Sequence, residues 1–161
     1  MHKARMTSPA MTVPGALDAL QGLSAAANDA AAKAGVPQST VDLVHLRASQ
    51  INGCAVCLDM HSRGAKKGGE TDERLLTLSA WRDSPYFTDA ERAALALTEA
   101  GTRLSDRDDP VGQEVFDQAA AHFDEPALAA LVVEIAAINA WNRLNVITGQ
   151  VAGRWTEQWV A

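Results

Sequence analysis

Aromatic side chains are scarce in this chain, at 5% of 161 residues, whereas alanine is abundant. A β-sandwich needs many aromatic and β-branched residues for its pleated faces, and alternating runs of that kind are absent. Close-packed helices are instead favoured by alanine. The composition therefore predicts one all-α domain that is long enough to bury a substantial core.

Excess positive charge is also missing. The net charge is -6, and no cluster of Lys and Arg reverses it locally, which argues against a nucleic-acid partner. The segment from Met1 to Pro14 has no apolar run behind its basic residues and does not resemble a secretory signal. No stretch is expected to reach the length that spans a bilayer. These features predict a cytoplasmic protein without a membrane partner.

Hydrophobic spacing and capping residues predict about six to seven helices. Thr88 and Glu91 have the spacing of a capping box, and Pro126 fits the first turn of a long final helix. Residues 1–14 are expected to form a flexible N-terminal arm, and residues 15–161 a single helical domain. The predicted helices cover approximately residues 17–34, 39–51, 53–69, 71–81, 88–104, 109–122 and 124–147.

The chain has only two cysteines, Cys54 and Cys57, and His61 follows four residues after the second. On a helix these three residues share one face. In the cytoplasm an isolated cysteine pair is more typical of redox chemistry or metal binding than of a structural disulfide. A helix N-terminus and a nearby imidazolium would both favour the reactive thiolate. Asn52-Gly53 allows a sharp turn just before the pair.

The preceding helix carries a polar stripe. Asp42, His45, Ser49 and Asn52 are spaced so that they share one face of an otherwise apolar helix. Such a stripe either faces solvent or lines a site. If it lines the site, Asp42 is positioned to hold His61 or to exchange a proton with it, as in a general acid–base relay. His45 by itself is more typical of a surface histidine or a satisfied buried one.

Two other interpretations of the cysteine pair stay open. Both cysteines could be inert core residues. Alternatively Cys54, Cys57 and His61 could bind zinc, with His45 or Asp42 as the fourth ligand. Structural zinc sites usually draw ligands from two separated knuckles, and this chain has no second pair. Redox chemistry is therefore favoured, and no metal is expected.

Two segments resemble a known family. Residues 42–61, DLVHLRASQINGCAVCLDMH, strongly resemble the core motif of the carboxymuconolactone decarboxylase family, and more narrowly of its alkylhydroperoxidase AhpD-like branch. Residues 138–145, INAWNRLN, resemble the final-helix pattern of that branch. The resemblance spans roughly residues 17–150. It implies an all-helical fold that assembles into trimers or hexamers.

The resemblance also implies a function and site residues. It implies a thiol-dependent peroxidase that reduces hydrogen peroxide or organic hydroperoxides, in which Cys57 attacks the peroxide and Cys54 closes the disulfide. His61 matches the family histidine of the proton relay. Asp42 stands where the family usually has a glutamate, which is one methylene longer. No cofactor is expected, but an external thiol or dithiol protein is required as electron donor.

The same residues also fit other functions. The same thiols would serve a disulfide reductase or redox adaptor that passes electrons to a separate peroxidase. A lyase or isomerase could use Asp42, His45 and His61 as acid–base groups, although lactone-decarboxylating members of the family generally lack the cysteine pair. A non-catalytic redox sensor is the fourth alternative. The apolar stretch from Leu128 to Ile138 and the tryptophans near the C-terminus favour a homo-oligomer.

Overall fold

The regular secondary structure is entirely helical across residues 3–106 and 108–153, the part of the chain that the computed structural model describes. This confirms the all-α prediction. Two 3₁₀ segments, Leu78–Asp83 and Leu104–Asp106, connect longer elements. The α-helices are α1 (Pro9–Thr12), α2 (Ala16–Lys33), α3 (Gln38–Asn52), α4 (Ala55–Lys67), α5 (Asp72–Thr77), α6 (Asp89–Thr102), α7 (Gln113–Ala120) and α8 (Glu125–Thr148).

Most helix boundaries lie within two residues of those predicted, because they coincide with strong local signals. The capping box of Thr88 and Glu91 is formed in both directions at the start of α6. Two elements differ. The helix predicted for residues 71–81 ends at Thr77 and continues as a 3₁₀ segment with a kink at Ala80. The helix predicted from residue 109 starts only at Gln113, since residues 110–111 form a turn.

The N-terminal segment differs from the flexible arm expected from the sequence. Residues 9–12 form the single turn α1, and Ala10 is buried. The backbone N–H of Arg5 donates to the carbonyl of Thr148, and its guanidinium donates to the carbonyl of Ile147. Gln150 donates to the carbonyl of Met6. These contacts attach residues 3–14 to the C-terminal end of α8.

The core is organised around α8, which packs against α2, α3 and α6. Leu131 and Glu134 on this helix are fully buried. By length and composition α8 could cross a bilayer, so the expectation that no stretch is long enough was wrong. More than half of the most apolar stretch of α8 is buried inside the fold. The burial of α8 is that of a core helix surrounded by protein.

Small side chains let these helices approach each other closely. Ala48 on α3, Ala65 on α4 and Ala137 on α8 are all essentially inaccessible to solvent. Ala48 belongs to a small apolar cluster with both cysteines and Ile138. The abundance of alanine in the sequence therefore corresponds to close contact between α3, α4 and α8, and the cysteine pair lies at that contact.

Candidate active site

The cysteine pair is held at the N-terminus of α4, as the sequence predicts. Gly53 ends α3 with φ of 67°, a left-handed conformation that glycine adopts without strain. The chain then reverses, so that Cys54 becomes the N-cap residue of α4 and Cys57 lies in its first turn. Both thiols are reduced and buried. The backbone N–H of Cys57 donates to Sγ of Cys54 at 3.3 Å.

The two thiols have different electrostatic environments. The Cys57 thiol donates to Sγ of Cys54, which is the main reason that the pKa of Cys54 is lowered to about 7. The backbone N–H at the helix start adds to this effect. The same hydrogen bond, together with burial, raises the pKa of Cys57. About half of the resting dithiol therefore carries a negative charge at pH 7, and that charge lies mainly on Cys54.

Asn145, on the last helix, contacts the pair from the opposite side. Its side-chain Nδ2 donates to Sγ of Cys57 at 3.4 Å. This hydrogen bond also favours negative charge on the cysteines, because an amide N–H stabilises a thiolate. Asn145 lies in the INAWNRLN segment, so this part of the sequence resemblance corresponds to a direct contact with the thiols.

Cys57 opens onto an apolar cavity of about 470 Å³. His45 and His61 lie in its wall beside Cys57, so the thiol and both imidazoles face the same space. Aliphatic, thioether and indole groups form most of the remaining surface, and part of it comes from the N-terminal segment. Those residues are Ala10, Met11, Leu17, Val56, Met60, Ile138 and Trp141.

The two histidines are in ring contact. The ring centroids of His45 and His61 are 4.5 Å apart, and the ring planes are inclined at 51°. Burial lowers the pKa of His61, and the nearby His45 lowers it further. His61 is therefore a neutral imidazole near neutral pH. A neutral imidazole can accept a proton from one group and return it to another.

A buried glutamate completes this cluster. Nε2 of His45 lies 2.8 Å from Oε2 of Glu134, which projects from α8 with no exposed surface. The other carboxylate oxygen, Oε1, is buried without a hydrogen-bond partner. A buried carboxylate is costly unless a neighbouring group compensates its charge. The compensating group that contacts this carboxylate is His45.

Asp42 occupies a different position from the one predicted. It is half-buried on α3, and its carboxylate accepts a hydrogen bond from Gln38, one turn earlier on the helix. Burial raises the pKa of Asp42. Asp42 and His61 are both among the described residues, and no hydrogen bond joins them. The ring contact of His61 is with His45, and the carboxylate bonded to that histidine is Glu134.

The polar stripe of α3 faces α8. Ser49 accepts a hydrogen bond from Asn142 at 3.1 Å. Asn52 donates to the side-chain oxygens of Asn139 and Asn142, both at 2.9 Å. The sequence left open whether this stripe faces solvent or lines a site. It does not face solvent, because Ser49 and Asn52 lie at the contact between α3 and α8. The amide network fixes α8 against the end of α3, directly behind the cysteine turn.

The structure thus brings Cys54, Cys57 and His61 together and adds His45 to them. Sequence reasoning missed the role of Glu134. One signal could have found it, since Glu134 is the only acidic residue between Pro126 and Thr148 of an otherwise largely apolar helix. Within residues 3–106 and 108–153, no group of three or more His, Cys, Asp or Glu side chains is arranged to hold a metal ion. The zinc interpretation gains no support from this geometry.

The all-helical fold with a dithiol at a helix N-terminus is AhpD-like, and it is shared with a solved structure suggested to be an AhpD protein. The pattern of the carboxymuconolactone decarboxylase family matches residues 15–100, more than half of the chain. The chain belongs to the carboxymuconolactone decarboxylase family.

Two bacterial relatives share recognisable sequence with the chain. The uncharacterized protein YdfG of Bacillus subtilis is 38% identical over 117 residues, which cover 73% of this chain and 78% of YdfG. The uncharacterized protein YnjA of Escherichia coli is 35% identical over 103 residues, covering 64% of this chain and 55% of YnjA. The chain therefore spans little more than half of YnjA. Neither relative brings an established activity.

Two solved structures share the fold. A protein of unknown function from Agrobacterium tumefaciens, suggested to be the antioxidant defence protein AhpD, is 32% identical with a TM-score of 0.82, covering 93% of this chain and 98% of that one. A variant of the debrominase Bmp8 in complex with 2,3,4-tribromopyrrole is 21% identical with a TM-score of 0.76, covering 93% and 77%. At that identity the debrominase shows the fold alone.

Proposed function

We propose that this protein is a thiol-dependent peroxidase that reduces hydrogen peroxide or organic hydroperoxides with the dithiol of Cys54 and Cys57. The observation that carries the proposal is that Cys57 shares one apolar cavity with His45 and His61. Such a cavity can bind the organic part of a hydroperoxide, and the imidazoles can move the protons that its reduction requires. Family membership and the AhpD-like fold support the same chemistry.

The reaction proceeds through a sulfenic acid. After its proton moves to Cys54 along their hydrogen bond, the Cys57 thiolate attacks a peroxide oxygen. The O–O bond breaks, Cys57 becomes a sulfenic acid, and the leaving oxygen takes a proton to depart as an alcohol or water. Sγ of Cys54 then attacks the sulfenic sulfur, the disulfide forms, and the hydroxide leaves with a proton as water. An external dithiol restores both thiols by exchange and is itself oxidised to a disulfide.

A single-turnover measurement tests this function. The reduced protein is mixed with a limiting amount of cumene hydroperoxide or hydrogen peroxide, and free thiols are counted before and after. We expect two thiols lost for each peroxide consumed. Cys57→Ser should consume no peroxide, and Cys54→Ser should form the sulfenic acid without turnover. Peroxide left untouched by a protein whose thiols still react with a disulfide reagent would contradict the proposal.

A disulfide reductase or redox adaptor for a separate peroxidase is the second candidate. The observation in its favour is the lowered pKa of Cys54, because thiol–disulfide exchange requires a thiolate near neutral pH. Cys54 also lines a second cavity of about 350 Å³, together with Gly53, Gly149 and Gln150. In this alternative the protein reduces a disulfide partner and leaves peroxide unchanged. A lyase activity would instead survive the loss of both cysteines.

The electron donor is proposed to be a thiol or dithiol protein, and the active form a cytoplasmic homo-oligomer. Trimers or hexamers are supported by the family resemblance and by exposed apolar residues near the end of α8, Val146 and Ile147. The tryptophans Trp155 and Trp159 lie outside the described residues. Sedimentation that shows only a monomer at micromolar concentration would contradict the assembly.

A further inference from the structure

The charged form of the dithiol lacks one of the protons that peroxide reduction consumes. Complete oxidation of a dithiol by one hydroperoxide yields an alcohol and a water, which together carry three hydrogens on oxygen. The hydroperoxide supplies one of these, and a dithiol that already carries a negative charge supplies only one more. The lowered pKa of Cys54 means that this charged form is present near neutral pH. The third proton must come from another group near the leaving oxygen.

Glu134 and His45 form a buried pair that can hold this proton. Their contact distance is 2.8 Å, Glu134 has no exposed surface, and only 8% of His45 is exposed. Among the described residues Oε1 of Glu134 has no hydrogen-bond partner, so His45 is the group in contact that can compensate the charge of this carboxylate.

His61 is in ring contact with this pair and lines the same cavity as the reacting sulfur. Its ring contacts that of His45 at 4.5 Å, and it lines the cavity with Cys57, four residues earlier on α4. Because the pKa of His61 is lowered, this imidazole is neutral at rest and free to accept a proton. Two imidazolium ions at this distance would repel each other, so one proton at a time passes along the cluster.

Two other carboxylates, Asp42 and Glu70, need to be considered as partners of His45. Asp42 faces His45 from one turn earlier on α3 and is bonded to Gln38. Glu70 interacts electrostatically with Asp42 and forms an ion pair with Arg74. Neither group shares a hydrogen bond with His45, in contrast to Glu134. The carboxylate that controls the charge of His45 is therefore Glu134.

We propose that Glu134 and His45 store a proton for peroxide reduction, and that His61 delivers it to the oxygen leaving from Cys57. The inference rests on the proposed peroxidase function. His45 and His61 are catalytic residues in this scheme, whereas Glu134 is a positioning residue that acts through His45. After delivery the pair recovers a proton from solvent, so that protons balance over each turnover.

Glu134→Gln tests the relay, because glutamine keeps the shape and removes the charge. We measure the single-turnover rate with cumene hydroperoxide across pH and divide it by the wild-type rate, which removes the pH dependence of the thiolate. Without the carboxylate the stored proton is lost at lower pH. The rate ratio should therefore be near one in acid and fall roughly 10- to 100-fold at alkaline pH. Added imidazole buffer should restore part of the rate.

A reaction that needs no proton provides the internal control. Oxidation of the thiols by dithiodipyridine should proceed at the wild-type rate in Glu134→Gln. The matched control variant is Glu91→Gln, which alters another buried carboxylate, paired with Arg74 and away from the cavity. It should reduce peroxide at the wild-type rate. If Glu134→Gln fails to fold, as judged by urea unfolding, His45→Gln takes its place. Because it removes the proton store at every pH, it should slow peroxide reduction throughout the pH range and leave the dithiodipyridine rate unchanged.

Each other outcome overturns the relay. A variant that matches wild type at every pH shows that Glu134 has no part in proton delivery. A loss in Glu134→Gln that is equal at all pH values, or a loss in either variant that is equal for peroxide and dithiodipyridine, shows a structural role only. If the wild-type protein consumes no peroxide, the proposed function itself fails and the relay falls with it. That case is recognised from the wild type alone.

Discussion

The thiolate on Cys54 can be tested by removing its hydrogen-bond donor. The Cys57 thiol is the largest cause of the lowered pKa of Cys54, which is about 7. An ordinary cysteine has a pKa of about 8.5, so its thiolate fraction at pH 7 is about 3%. At a pKa of about 7 the fraction is about one half, an increase of roughly 15-fold. Reaction rates that depend on the thiolate should also increase, but by less than this factor, because a thiolate of lower pKa is a weaker nucleophile.

The assay is a pH titration of the thiolate by its ultraviolet absorbance, which does not require access to the buried sulfur. Alkylation followed by peptide mass spectrometry then identifies the ionised residue. We expect the wild type to titrate near pH 7 with Cys54 labelled first. Cys57→Ala removes the donor and should move the midpoint upwards by at least one pH unit. Cys57→Ser keeps a hydroxyl donor and should lie between them.

Three results would refute this reasoning. A wild-type midpoint at or above that of an ordinary cysteine would show that the helix N-terminus and the Cys57 thiol do not stabilise the charge. Preferential labelling of Cys57 would show that the charge lies on the other sulfur. An unchanged midpoint in Cys57→Ala would assign the effect to the backbone N–H and to the amides of Asn142 and Asn145.

Three further predictions follow from the site and the core. Asn145→Leu removes the N–H that contacts Sγ of Cys57, and the single-turnover rate with peroxide should fall roughly tenfold while the circular dichroism spectrum is retained. Leu17→Trp places an indole ring at a half-buried position of the cavity wall, so KM should rise more for cumene hydroperoxide than for hydrogen peroxide in steady-state assays. Leu131→Ala removes a fully buried side chain of α8 and should lower the free energy of unfolding in urea by about 2–5 kcal/mol.

Local sequence signals predicted the cysteine turn correctly. Gly53, Cys54 and Cys57 lie within five consecutive residues, so glycine conformation and helix periodicity are sufficient to place the pair at the start of α4. The same reasoning placed His61 on the same helix face. Most helix boundaries were also predictable, since capping boxes, prolines and glycines act within one turn.

The carboxylate that contacts His45 could not be predicted in this way. His45 and Glu134 are 89 positions apart in the chain, and their contact depends on how α3 packs against α8. Helix periodicity says which residues share a face but not which face meets which neighbour. Asp42 fits the helix periodicity of the polar stripe on α3, and it stands where the family usually has a glutamate. The packing of α8 instead brought Glu134 to the histidine.

Helix α8 carries both Glu134, behind the histidines, and Asn145, at the thiols, with no break between them. Each residue of an α-helix advances 1.5 Å and turns about 100°. One inserted or deleted residue between these positions would rotate Asn145 away from Cys57 while leaving Glu134 at His45. Substitutions elsewhere on the helix would disturb this spacing far less. The eleven-residue interval from 134 to 145 therefore tolerates almost no change in length.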